Sequence, residues 1–149
     1  MKYEVIKTIP HSKGWSVCFR QWRAESHCQY LHGYALQIAL TFGSDSLDAR
    51  NWVIDFGGFK SLFDGLAKDF DHKLVIAIDD PLTNYFLQLE ALGGAEIVQL
   101  PNVGCEAFAE VIALYTIYWM KLHAIRTDVR LLSVEVKEHE GNGAIYRCA

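Results

Sequence analysis

The sequence predicts an α+β domain in which two helices pack on one face of an antiparallel β-sheet. Three observations carry that expectation. Runs with alternating apolar and polar residues dominate both ends of the chain, and two central segments place apolar residues at helical spacing. Near the end, Glu140-Gly-Asn-Gly143 separates two further strand-like runs, a hairpin signal because Asn and Gly tolerate positive φ. Strands, then helices, then strands, without regular βα alternation, is the pattern of such a layered fold.

In chain order, Tyr3 to Ile9 and Trp15 to Trp22 read as a strand pair joined across Pro10 to Gly14. Tyr34, Leu36, Ile38 and Leu40 alternate as a half-buried third strand requires. Trp52 to Ile54 reads as a short strand leading into Asp55-Phe-Gly-Gly-Phe59. Phe59, Leu62, Phe63 and Leu66 then fall at i, i+3, i+4 and i+7, one face of an amphipathic helix. Lys73 to Ile78 is a further strand. A second, longer helix runs from Cys105 to about His123, entered through Pro101-Asn-Val-Gly104, with Phe108, Val111, Ile112, Tyr115 and Trp119 on one stripe. Arg130 to His139 and Ala144 to Arg147 close the chain as a hairpin.

The 149 residues fit one domain, 1–149, and a hydrophobic content of 51% supplies a core without disulfides or metal. The net charge of -4 is interspersed, with no basic stripe, which argues against a nucleic-acid partner. No run approaches membrane-spanning length and the N-terminus lacks a signal-peptide core, so a cytoplasmic protein with no membrane partner is expected. Cys18, Cys28, Cys105 and Cys148 show no CxxC pairing, and a reducing compartment argues against disulfides.

Several motifs occur in one order along the chain. They are Cys28-Gln-Tyr-Leu-His32-Gly33, Trp52-Val-Ile-Asp55-Phe56, Phe70-Asp71-His72-Lys-Leu74, Gly104-Cys105-Glu106, and Lys137-Glu138 with Ala144-Ile-Tyr146. In this set the chain resembles the 6-pyruvoyl/6-carboxytetrahydropterin synthase family from Cys18 to Tyr146, and the short Cys-to-His spacing resembles its bacterial 6-carboxytetrahydropterin synthase branch. The resemblance implies a tunnelling fold, a homo-oligomer that is usually a hexamer, and active sites at subunit interfaces. It implies a carbon-carbon lyase that takes 7,8-dihydroneopterin triphosphate to 6-carboxytetrahydropterin, acetaldehyde and triphosphate, on the route to queuosine. It also implies a zinc ion held by three histidines.

Carried onto this sequence, the resemblance makes Cys28 the general base and Asp71 and His72 a proton relay. The chemistry is apt: proton abstraction needs a group that ionises near neutrality beside a cation, and a carboxylate fixes an imidazole's tautomer. Read without it, Cys28 is a small packing residue, and Asp71-His72 caps a turn. Glu138 is the pterin anchor, since a carboxylate accepts two parallel hydrogen bonds from a ring N–H and an amino group. Glu106 is a second anchor, or simply a first-turn acid favoured by the helix dipole. Gly104-Cys105 replaces a hydroxyl pair, leaving only backbone N–H groups as donors at that helix start.

The zinc site departs from the family. His32 matches one ligand, but the positions of the other two hold Arg23 and Tyr34. Either His27 and Cys28 help His32 hold a metal, or Arg23 supplies positive charge toward a carbonyl or phosphate oxygen and Tyr34 serves as a donor or stacking surface. If the local alignment shifts, Arg20 and Arg23 meet the triphosphate instead. Three functions follow: a pterin lyase, a zinc-free enzyme on a related pterin or purine, or a non-catalytic pterin-binding subunit.

Overall fold

The computed structural model describes residues 1–149. Its strands are β1 (Tyr3–Ile9), β2 (Ser16–Phe19), β3 (His32–Ala35), β4 (Gln37–Ser44), β5 (Lys73–Ala77), β6 (Ile97–Leu100), β7 (Arg130–His139) and β8 (Asn142–Arg147). The helices are α1 (Lys60–Phe70), α2 (Thr83–Ala91) and α3 (Cys105–Leu122). None is long and apolar enough to cross a membrane.

An antiparallel sheet of order β1-β4-β7-β8 carries α3 on one face, as the apolar periodicity predicts. Phe108, Ile112, Thr116 and Trp119 of α3 are buried, while Val111 and Tyr115 are half-buried at the edge of the stripe. Tyr115 Oη packs so closely on α1 that a Cβ at Gly65 would clash with it. The core joins these helices to residues of both sheets in one cluster of 28 buried side chains.

Three expectations are corrected. The first two runs do not pair. β1 pairs along its whole length with β4, because Pro10, a 3-10 turn over His11–Lys13 and Gly14 at φ 77 redirect the chain into a second sheet. That sheet, of order β3-β2-β5-β6, is mixed, with β5 parallel to both neighbours. Trp52 to Ile54 is a loop rather than a strand, because the Asp48 carboxylate takes the N–H groups of Arg50 and Trp52 at 2.8 and 3.0 Å and Asn51 adopts φ 64.

The third correction is the helix count. α2 adds a third helix, and it buries only Phe86 while leaving Tyr85, Leu87 and Leu89 exposed, so no apolar stripe marks it in the sequence. β5 shows why the second sheet needs it. Val75 and Ala77 face the main core, whereas Leu74 and Ile76 face a small cluster closed by Phe86. A strand buried on both faces reads as a continuous apolar run.

Candidate functional site

β2 and β3 run antiparallel, with Phe19 opposite His32 and Val17 opposite Tyr34. Period-2 geometry turns His32 and Tyr34 to the same face, and their rings meet edge-on with centroids 5.5 Å apart. Phe19 packs against both, 4.8 Å from the His32 ring and 6.1 Å from the Tyr34 ring. It rests in turn on fully buried Phe108, which also packs edge-on against Phe70 of α1. Phe108→Ala is expected to lower the unfolding free energy by about 3–5 kcal/mol, a loss that denaturant titration will measure.

β7 brings two more side chains to Tyr34. The β7–β8 register slips between Lys137 and His139, leaving Glu138 as the extra residue of a bulge. A bulge breaks the alternation of faces and re-aims side chains. Gly143 permits it, since a Cβ there would lie 2.7 Å from Lys137 Cγ and 2.8 Å from the Val136 oxygen. Both Glu138 and His139 then reach Tyr34. The phenol pKa is raised, first by hydrogen bonding to the Glu138 carboxylate and then by burial, with smaller contributions from the charges of Glu138, Cys28 and Cys105. The His139 ring sits 5.9 Å from that of Tyr34.

The two imidazoles that flank Tyr34 hold opposite tautomers. His32 Nδ1 donates to the Tyr30 carbonyl at 2.7 Å, which leaves a lone pair on Nε2. His139 Nδ1 accepts the Gly141 N–H at 2.9 Å, which leaves the proton of the neutral ring on Nε2. His139 has no counterpart in the sequence reading, because strict alternation places it on the opposite face from Glu138. The only available signal was the tight Glu140-Gly-Asn-Gly143 turn, where a register slip is admissible.

The N-terminus of α3 adds Cys105, whose Sγ donates to Glu138 Oε1 at 3.9 Å. Burial, then the Glu138 charge, push its thiol from an ordinary 9.0 up to about 12. Cys105 therefore stays protonated and supplies a side-chain donor after all, in place of the hydroxyl pair. Glu106, on the first turn, is exposed. Because the folded-state value is raised, the contribution of Cys105 to stability is complete below pH 9 and is lost as the pH climbs toward about 12. Denaturation midpoints of the wild type should therefore fall more steeply than those of Cys105→Ala above pH 9.

Cys28 lies half-buried in a 3-10 turn over His27–Gln29, where Ser26 Oγ accepts the Cys28 N–H at 3.4 Å. The Gln21 N–H donates to the Cys28 carbonyl at 2.9 Å, and Arg20 Nη1 donates to the Gln29 carbonyl at 2.9 Å. Cys28 is close enough for its charge to bear on Tyr34.

Asp71 and His72 are hydrogen-bonded to each other. Asp71 Oδ1 accepts from His72 Nδ1 at 2.7 Å and from the Ser16 N–H at 3.2 Å. His72 adopts φ 57 and donates its backbone N–H to the Ser16 oxygen at 2.7 Å. A β-carbon residue in the left-handed region is held there by its surroundings. Donation from Nδ1 to the carboxylate leaves the lone pair of the neutral ring on Nε2, and the side chain is 79% exposed. The dyad is tied to the start of β2, whereas the Cys28 turn is tied just beyond its end. With about 3.3 Å per residue, the strand from Ser16 to Phe19 separates the two attachments by roughly 10 Å.

Arg23 is placed elsewhere than the metal position. Its Nη2 pairs with Asp79 Oδ2 at 2.7 Å and its guanidinium stacks 4.1 Å over Trp22, which itself donates to Asp79. Arg20, the other candidate for triphosphate, spends its donors on Asp80 and Gln29. His27 is exposed on its turn. No three His, Cys, Asp or Glu side chains converge as a metal group, and Tyr34 is held protonated. The donor set does not fit a three-histidine zinc.

Comparison with known proteins agrees with this architecture. Among solved structures, an uncharacterized protein from Wolinella succinogenes superposes with a TM-score of 0.72 at 20% identity, covering 97% of both chains. The 6-pyruvoyl tetrahydropterin synthase of Plasmodium vivax gives 0.66 at 16% identity, covering 97% of this chain and 96% of that one. These likenesses show the tunnelling fold. A 6-carboxy-5,6,7,8-tetrahydropterin synthase from Aquifex aeolicus is 30% identical over 93 residues, 55% of this chain and 57% of the relative. One from Rickettsia bellii is 32% identical over 92 residues, 61% of this chain and 63% of the relative. The match thus spans about three fifths of the length of these curated relatives. Residues 8–149 match the family described as 6-pyruvoyl tetrahydropterin synthase, and with that match over nearly its whole length the chain belongs to this family.

Proposed function

We propose that the chain is a pterin-processing carbon-carbon lyase of the 6-carboxytetrahydropterin synthase kind, acting on 7,8-dihydroneopterin triphosphate or a close analogue. The observation that carries this reading is the convergence of Glu138, Tyr34, His32, Cys28 and Cys105 from three separate parts of the fold. Glu138 accepts the ring N–H and 2-amino hydrogens of the pterin, while Tyr34 and Cys105 steady its carboxylate. Cys28 takes a proton from the side chain of the substrate. With their rings 5.5 and 5.9 Å from that of Tyr34, His32 accepts a proton on the lone pair of Nε2 and His139 donates one from Nε2–H. Carbon-carbon cleavage with uptake of water then yields 6-carboxytetrahydropterin, acetaldehyde and triphosphate, a step toward queuosine.

The separation of Asp71-His72 from the Cys28 turn along β2 supports a homo-oligomer, a hexamer by family resemblance, in which the dyad of one copy serves the Cys28 of another. Such an enzyme works in the cytoplasm. Incubation with 7,8-dihydroneopterin triphosphate tests the reading. Consumption with release of triphosphate supports it, and binding without conversion points instead to a pterin-binding subunit.

The donor set favours a second reading, a zinc-free enzyme on a related pterin or purine, in which fold and acid-base residues are kept and the reaction differs. Elemental analysis of protein purified without chelator separates the two. Near-stoichiometric zinc excludes the metal-free reading, and its absence together with turnover of another pterin or purine supports it.

A further inference from the structure

We propose that the buried Arg20–Asp80 ion pair is a positioning device that fixes the orientation of Cys28, an inference that rests on the role given to Cys28 above. Arg20 follows β2 directly, and its Nε and Nη2 donate to the two carboxylate oxygens of Asp80 at 2.8 and 2.7 Å. The side chains are 12% and 0% exposed. Burial alone would raise the Asp80 carboxyl, but hydrogen bonds from Arg20 and the Leu82 N–H hold it below its ordinary value. A pair so buried adds little net stability, because desolvation offsets attraction.

The geometry gives the pair a second task. The third donor of the fork, Nη1, reaches the Gln29 carbonyl at 2.9 Å, and the next residue, Gln21, holds the Cys28 carbonyl with its N–H at 2.9 Å. Two consecutive carbonyls of the turn are thus pinned by two consecutive residues of the strand end. With Ser26 capping the Cys28 N–H, the backbone on both sides of Cys28 is fixed and Sγ is aimed. The fork itself is held by Asp80, which also caps the entry to α2 through Leu82 N–H at 2.8 Å, and the guanidinium lies 5.9 Å from the Phe86 ring. α2 and its flanking loop, which contribute no side chain to the cluster around Tyr34, thereby hold the clamp in place. Only a planar guanidinium serves two acceptor groups in this way; an ammonium at the same site satisfies Asp80 and releases Gln29.

Two variants test this. Arg20→Lys keeps charge opposite Asp80 but loses the fork, and Arg20→Gln with Asp80→Asn removes both charges together. The readout is the alkylation rate of each cysteine by iodoacetamide, followed by peptide mapping, alongside kcat and KM. The expected result is a several-fold rise in Cys28 alkylation with Cys18, Cys105 and Cys148 unchanged, and a fall in kcat on the order of 10²-fold with KM little affected. Should the double variant not fold, Arg20→Lys carries the test. Cys28 alkylation at the wild-type rate in the folded variants overturns the proposal, as does a uniform rise at all four cysteines, which marks a general strut. If the wild type turns over no pterin, the functional reading fails, while a Cys28-selective rise still upholds the clamp.

Discussion

Cys28→Ala is expected to lower kcat on 7,8-dihydroneopterin triphosphate by about 10²–10⁴-fold, the range associated with a positioned acid or base. Pterin affinity should persist, because ring recognition rests on Glu138 and not on the thiol. The reason for so large an effect is that no neighbour can take over the role. Cys105, the other thiol near Tyr34, is pushed up to about 12 and stays protonated. The His32 ring is held by Phe19 and by the Tyr30 carbonyl, and its Nε2 already has a role of its own in the proposed proton transfers, so it does not stand in for the thiol. Single-turnover kinetics together with a pterin binding isotherm separate the two quantities. A variant that retains wild-type kcat removes Cys28 from the mechanism.

Glu138→Gln should act on the other half of the site. The amide has nearly the same shape but replaces one acceptor oxygen by an NH₂ group, so it cannot accept two parallel N–H bonds. Loss of a charge-assisted hydrogen bond costs about 1.5–3 kcal/mol, or roughly 10–150-fold in affinity. The same substitution removes the principal cause of the raised Tyr34 pKa. Ultraviolet titration of the phenol should therefore move back toward the ordinary tyrosine value in Glu138→Gln, a change that does not require substrate. Weak pterin binding with an unmoved Tyr34 titration would mean that the two side chains are not coupled.

The outline of the fold was legible wherever periodicity and burial coincide. α1 and α3 each carry an apolar stripe that meets the main core, and β1, β4 and β7 alternate as strands of a one-sided sheet do. Legibility failed where an element serves two layers or buries a single residue. β5 is read correctly as a strand, but its parallel place in a second sheet is not, because a continuous apolar run buried on both sides names no partner, and α2 buries only Phe86. The pairing of β1 with β4 instead of β2 depends on Gly14 and the turn before it, a local bend whose outcome is set by the partner strand.

The site divides in a similar way. Asp71 and His72 are adjacent in sequence and bonded in space, so a short-range reading sufficed. His32 and Tyr34 follow from period 2 alone. Arg23 falls at a metal-ligand position by family resemblance, but β2 ends at Phe19 and the following turn carries Arg23 to Asp79. Arg20 meets Asp80 across 60 positions, and the fork that binds it to Gln29 is visible only once β2 and β5 lie side by side. His139 was hidden by the bulge at Glu138, since alternation assigns neighbouring residues to opposite faces.

The measurement that bears most directly on the central claim is product analysis after incubating the purified protein with 7,8-dihydroneopterin triphosphate. The account predicts consumption of the pterin with release of triphosphate by the wild type, and its loss in Cys28→Ala at undiminished pterin binding. Unchanged substrate together with no pterin-dependent rise in Tm would contradict it.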